Sequence, residues 1–154
     1  MPLSRFKVAV AVYALLQRGE DVLLLRRSGS GFHDGELSLP AGHVDDGEDA
    51  LSALVREIGE ELLVTVDPAD CRLALTGHSA PETPGDDAYV DLFFTVEGWS
   101  GEPVIGEPDK AAELVWAPAH QLPSDVIPYV AEAITSITSG ADARLVLWHW
   151  PSTP

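Results

Sequence analysis

Three glutamates, Glu57, Glu60 and Glu61, fall within five residues of the stretch from Gly42 to Val64, GHVDDGEDALSALVREIGEELLV, which also holds Glu48 and Arg56. Its apolar residues Leu51, Leu54, Val55, Ile58 and Leu62 recur at helical spacing, which predicts an amphipathic helix from Asp49 to Leu62. At roughly 100° per residue, the three glutamates then share an arc of about 100° beside the apolar stripe rather than opposite it. Like charges so placed cost roughly a few tenths of a kcal/mol per pair on an exposed helix, and more when partly buried. A hard divalent cation offsets that repulsion most simply. Mg²⁺ takes oxygen ligands and is commonly shared between one or two carboxylates and a substrate's phosphates. The plainer alternative is a solvated acidic face on which Arg56 makes helix ion pairs with Glu57 and Glu60 and nothing more.

The rest of the chain must supply the frame. Val8–Leu16 and Val22–Leu25 are apolar, partly β-branched runs separated by Gln17-Arg18-Gly19-Glu20-Asp21, a hairpin pattern. Arg5 and Lys7 ahead of the first run give it the outline of a signal peptide. It is short, lacks a small-residue cleavage site and leads straight into the second run, so it reads as a strand. Ser28–Asp34 is a Gly/Ser-rich loop. Asp46 is the expected N-cap of the acidic helix, with Glu48 and Asp49 in its first turn, where carboxylates complement the helix dipole. Strand patterns follow at Arg72–Thr76, Ala88–Glu97 and Glu113–Trp116, with Pro81–Gly85 and Gly101–Pro108 as loops. A second helical period covers Val126–Ile137, opened by Ser124 or Asp125, and Arg144–Trp150 reads as a closing strand. Strands before, between and after two helices favour a mixed sheet with helices against it, in a single domain over residues 1–154.

Composition narrows the partners. The 154 residues carry 9 Lys+Arg against 25 Asp+Glu, a formal charge of −16, and 45% are hydrophobic, enough for a packed core. No basic stripe exists to neutralise a nucleic-acid backbone or an anionic membrane, so neither is an expected partner. The lone Cys71 has no internal disulfide partner, which fits a reducing, cytoplasmic compartment. A homodimer is left open.

Gly42, Glu48, Arg56, Glu57, Ile58, Glu60, Glu61 and Val64 fill eight of the nine specified positions of a known pattern: G, five residues, E, seven residues, R-E-apolar-x-E-E-x-G-apolar. The segment thus resembles the box of the Nudix (MutT-like) hydrolase family, and Leu39-Pro40-Ala41-Gly42 is similar to that family's usual L-P-G-G lead-in. The resemblance implies an α/β Nudix fold, a mixed β-sheet sandwiched between α-helices. It also implies Mg²⁺- or Mn²⁺-dependent hydrolysis of a nucleoside diphosphate linked to another group. Glu57, Glu60 and Glu61 then look like metal ligands, Glu48 like an outer or occasional one, and Arg56 like the residue that orients a glutamate. Gly42 looks like the bend at which backbone approaches the metal or phosphate. An acid on a later loop joins the metals in several relatives; Glu107 is the candidate general base, with Asp109 behind it and Glu82 weaker. Physical reasoning agrees, since phosphoryl chemistry needs charge neutralisation and positioning above all.

Leu63 departs from the pattern, which has glycine there to supply a left-handed helix end; the expectation is a differently built terminus with the carboxylates intact. Arg26 and Arg27, closing the second strand, could reach phosphate oxygens, Arg27 foremost. His33, His43, His78, His120 and His149 lack zinc spacing, and His43 reads as solvated. Phe32, Tyr13 and Phe93 could stack on a base, with core packing as their default, as for the four tryptophans. Ser38 has no Gly-x-Ser-x-Gly frame. The expected enzyme is a nucleotide pyrophosphohydrolase that releases a nucleoside monophosphate, with nucleoside triphosphates, normal or damaged, favoured over ADP-ribose or sugar nucleotides. The rivals are a non-catalytic nucleotide-binding regulator and a diphosphate isomerase, the latter needing His and Cys positions that do not stand out here.

Overall fold

A computed structural model of the chain describes residues 5–141 and 144–151. β1 (Ala9–Arg18) is apolar through Leu16 because both its faces are covered. Ala11, Tyr13 and Leu15 join one hydrophobic cluster, and Val12, Ala14 and Leu16 join the other. β2 (Asp21–Arg27) returns antiparallel after the two-residue turn Gly19–Glu20, with Gly19 at φ 61°. Two short strands, β3 (Leu37–Ser38) and β4 (Ala41–His43), lie beyond the expected set and pair with β2 and β1. β5 (Cys71–Ser79), β6 (Tyr89–Val96), β7 (Ala111–Pro118) and β8 (Leu145–Trp148) complete an eight-stranded sheet of order β3-β2-β1-β6-β5-β8, with β4 on β1 and β7 on β2. The β1–β6 and β5–β8 pairs are parallel and the rest antiparallel, a mixed sheet as expected.

Helix α1 (Ala50–Leu62) buries Ala53, Leu54, Ile58 and Leu62 in the Val12 cluster. Helix α2 (Pro128–Thr138) buries Val130, Ala133 and Ile134 in the Tyr13 cluster on the opposite face. The sheet is therefore sandwiched between the two helices. Among the described residues no helix is long and apolar enough to cross a membrane.

Both helix starts differ from expectation. The N-cap of α1 is Asp49, whose carboxylate accepts from the Ser52 N–H at 2.9 Å, and not Asp46. Left-handed Gly47, at φ 82°, turns the chain between them and leaves Glu48 outside the helix. No side chain caps α2, which opens at Pro128. After a turn at Ser124–Asp125, Val126 instead bridges Leu37, and the Asp125 carboxylate accepts from Arg26 at 2.7 Å. β8 is shorter than expected, ending before left-handed His149 at φ 63°.

The end of α1 overturns another expectation. Leu63 adopts the left-handed conformation that glycine normally supplies, φ 55° and ψ 33°, with its side chain 60% exposed. Its N–H donates to Gly59 O at 3.1 Å, while the N–H groups of Gly106 and Val104 donate to Glu61 O and Leu62 O at 2.8 and 3.0 Å. These bonds hold the terminus against the intrinsic cost, roughly 1–2 kcal/mol, of a left-handed leucine.

Candidate active site

Packing α1 on β1 sets its acidic edge against β4. Gly42 is what permits the approach, since a Cβ built there would occupy the Glu57 carboxylate itself. One residue earlier, the Ala41 N–H donates to Glu61 Oε2 at 3.1 Å. Burial pushes both acids above the ordinary glutamate range. Glu57 rises against the pull of the Arg56 guanidinium, and Glu61 reaches about 8, with Glu57 beside it as the next cause.

Arg56 ties the remaining acids together. Its guanidinium reaches Glu48 Oε1 at 2.7 Å, Glu57 Oε1 at 2.9 Å, Glu60 Oε2 at 3.3 Å and the His43 carbonyl at 3.0 Å. The Arg56 hydrogen bonds hold the Glu48 carboxyl below its usual range, and Glu48 also accepts from the Asp45 N–H at 2.9 Å. Arg56 is thus more than the isolated helix pair of the plainer reading, because it spans four carboxylates, Asp45 at 3.4 Å being the fourth, and a backbone carbonyl.

Glu107 joins the cluster from the far end of the sequence. The capping bonds from Val104 and Gly106 fasten its loop to the end of α1, and a Cβ at Gly106 would meet the Glu60 carbonyl. Glu107 lies near enough to Glu57 and Glu61 to raise both. Lys110 Nζ stands 3.5 Å from the Glu107 carboxylate. Arg27 is aimed by its own loop, donating from Nε to the Phe32 carbonyl at 2.6 Å and from Nη2 to Ser30 Oγ at 2.9 Å. Arg26, on the other face of the strand, pairs with Glu113 at 2.6 Å and Asp125 at 2.7 Å and lies outside the cleft.

Glu57, Glu61, Glu107, Arg27 and Gly42 line one cleft of about 1040 Å³. Glu48, Arg56 and Glu60 stand behind it rather than in its wall. Among the described residues, no three His, Cys, Asp or Glu side chains are already converged as a cation cage. The donors nonetheless fit a hard divalent cation: they are half-buried carboxylate oxygens crowded together, and among the described residues Glu61 has no ion-pair partner.

The opposite end of the cleft was not legible as a site. Buried Asp91 accepts from Ser79 Oγ at 2.7 Å, Tyr13 and Tyr129 hydroxyls lie 2.9 Å apart, and Glu82 bridges His33 Nε2 at 2.9 Å and His149 Nε2 at 3.2 Å. An aspartate inside the apolar run Tyr89–Val96 was the one available signal. Tyr13 stacks on Phe93 at 4.3 Å, as core packing requires, whereas Phe32 stays 40% exposed on the rim. His43 is exposed, as expected, and its ring also stacks near Tyr89, whose hydroxyl is 3.1 Å from His43 Nε2.

The chain is similar in sequence and in fold to known proteins. Residues 5–136 match the NUDIX domain. The chain is 29% identical over 129 residues to the 8-oxo-dGTP diphosphatase of Escherichia coli, covering 82% of this chain and 95% of that protein. It is 32% identical over 107 residues to the ADP-ribose pyrophosphatase of Methanocaldococcus jannaschii, covering 68% of this chain and 60% of that one. The crystal structure of a MutT NUDIX hydrolase from Burkholderia pseudomallei superposes with a TM-score of 0.76 at 27% identity, covering 84% of this chain and 97% of that one.

Proposed function

From the premise that the chain belongs to the Nudix family and is a hydrolase of pyrophosphate bonds, we propose that its substrate is a nucleoside triphosphate and that a nucleoside monophosphate is one product. The observation that carries this reading is the pair of half-buried carboxylates, Glu57 and Glu61, set against Gly42 in a cleft whose same end holds Arg27 and Lys110. Residues 1–154 act as one domain in this reading.

Glu57, Glu60 and Glu61 would hold Mg²⁺ or Mn²⁺, with Glu48 in an outer position. When bound, the cation supplies charge neutralisation along the phosphate chain and a more acidic water. Everything else falls to the chain itself. Arg56 fixes the carboxylates, trading hydrogen bonds with Glu48, Glu57 and Glu60 for a set orientation. Arg27, held by Phe32 and Ser30, binds phosphate oxygens. Glu107 accepts the proton of the attacking water, and Lys110 beside it offsets charge at the leaving oxygen.

A second reading is an ADP-ribose or sugar-nucleotide pyrophosphatase. Glu82, Asp86 and Asp87 at the far end of the cleft favour it, because carboxylates accept hydrogen bonds from sugar hydroxyls, and one relative is an ADP-ribose pyrophosphatase. Phosphate release over a panel of nucleoside triphosphates, ADP-ribose and sugar nucleotides, with Mg²⁺ or Mn²⁺, separates the readings. Triphosphates are expected to be turned over fastest, and Glu60→Gln and Glu61→Gln to lose at least 100-fold in kcat. Binding without turnover in wild type would point to a regulator, and full turnover in both folded variants would remove the metal assignment.

A further inference from the structure

We propose that Asp91, set by Ser79, reads the base of the nucleotide substrate and selects an edge that presents two adjacent N–H donors, as guanine does. This rests on the nucleotide reading above and deepens it. Asp91 is 3% exposed, on the central strand β6, yet its side chain forms part of the cleft wall. Ser79 donates to Oδ2, and among the described residues Oδ1 has no protein partner. No described buried side-chain oxygen or nitrogen lacks a partner, so Oδ1 must reach the open space of the cleft. The registry explains the opening. Across the sheet Asp91 is flanked by Ala11 on β1 and Gly77 on β5, neither of which raises a side chain beside it. The Trp148 ring fills the space over Gly77, where a Cβ would overlap it, which leaves the Ala11 side clear.

The position suits a base. Ala11 pairs with Asp91 on one side and with His43 of β4 on the other, so Asp91 stands two strand spacings, roughly 10 Å, from the β4 backbone that abuts Glu57. A ribose fits between phosphates at the β4 end and a base at Asp91. Tyr13 and Tyr129 lie beside it as apolar walls that end in hydroxyls. Glu82, Asp86 and Asp87 make this end of the cleft acidic, which favours a donor-rich edge and disfavours a second phosphate. Burial pushes Asp91 up to about 6, and it is ionised at neutral pH. An ionised carboxylate accepts both N–H groups of a guanine-type edge; an adenine-type edge sets a ring nitrogen lone pair against one of its oxygens.

Binding of 5′-GMP, 5′-IMP and 5′-AMP, measured calorimetrically at pH 7.5 on the full chain, tests this without requiring turnover. Wild type is expected to bind GMP at least tenfold more tightly than AMP, with IMP, which lacks the amino group, between them. Asp91→Asn should weaken GMP at least tenfold and change AMP less than twofold. Ser79→Ala, a milder change that keeps the carboxylate, should weaken GMP about threefold and leave AMP alone. Thermal melts check that each variant is folded. Equal binding of GMP and AMP by wild type, no binding of either at millimolar concentration, or parallel losses in Asp91→Asn would overturn the assignment. Base discrimination that depends on Asp91 in a protein that hydrolyses no nucleotide would sink the hydrolytic reading and leave this one standing.

Discussion

Leu63 is the residue at which pattern and physics part. The site survives the missing glycine because the left-handed turn is imposed by three capping hydrogen bonds rather than by the residue's own preference. Leu63→Gly should therefore raise Tm by roughly 1–4 °C, relief of the left-handed strain outweighing the loss of a mostly exposed side chain; a lower Tm would contradict it. Asp91 carries a cost of the opposite kind. Its folded pKa is raised by burial from 3.8 to about 6, so the stabilisation relative to the charged form is complete below about 4 and is lost as pH rises through 6. Asp91→Asn should accordingly be more stable than wild type above pH 6, by on the order of 2–3 kcal/mol, with the advantage shrinking toward pH 4 in chemical denaturation. An advantage independent of pH would show that titration is not its source. The box glutamates were legible because their spacing is local to one helix. Asp91 was not, because a strand residue's role depends on neighbours such as Gly77 and Ala11, which are remote in sequence.

At the scale of elements, α1 was readable to within a residue at both ends but its cap was not, because Asp46 and Asp49 both suit the position and the left-handed glycine at 47 decides between them. β3 and β4 are too short to show a period of two, yet β4 supplies both the Glu57 contact and the bond to Glu61. The loop 80–87 is tied by Glu82 to His33 and His149. Although burial opposes it, the Glu36 and Glu82 carboxylates hold the His33 imidazole above its usual 6.5. The stabilisation this gives is complete below pH 6.5 and fades as pH passes the raised value. Hydrogen exchange in residues 81–87 should therefore quicken between pH 6 and 8 beyond the intrinsic chemical rate, and in Glu82→Gln it should be fast at both. Equal protection in wild type and variant would show that the clasp does not restrain the loop.

The whole molecule works against its own ligand. With a net charge of −16 and, among the described residues, Arg27 and Lys110 as the only arginine or lysine in the cleft wall, the bare protein repels an anionic nucleotide. At saturating cation, KM for a triphosphate should fall several-fold as NaCl rises from about 0.01 to 0.15 M, because screening removes repulsion over a Debye length of roughly 10 Å. A rising KM would mean that local attraction dominates. The sandwich was legible from the alternation of strand and helix patterns, whereas the cleft was not, since it gathers residues from β1, β2, β4, β6, both helices and the loops after β2, β5 and β6. What unites these scales in the proposed account is that the α1 carboxylates packed beside Gly42 would hold a divalent cation. Electron paramagnetic resonance of Mn²⁺ binding, in wild type and in Glu57→Gln and Glu61→Gln, tests it most directly. The account predicts that wild type binds Mn²⁺ and that each folded variant binds at least tenfold more weakly, in step with its loss of phosphate release. Undiminished Mn²⁺ affinity in both variants would contradict it.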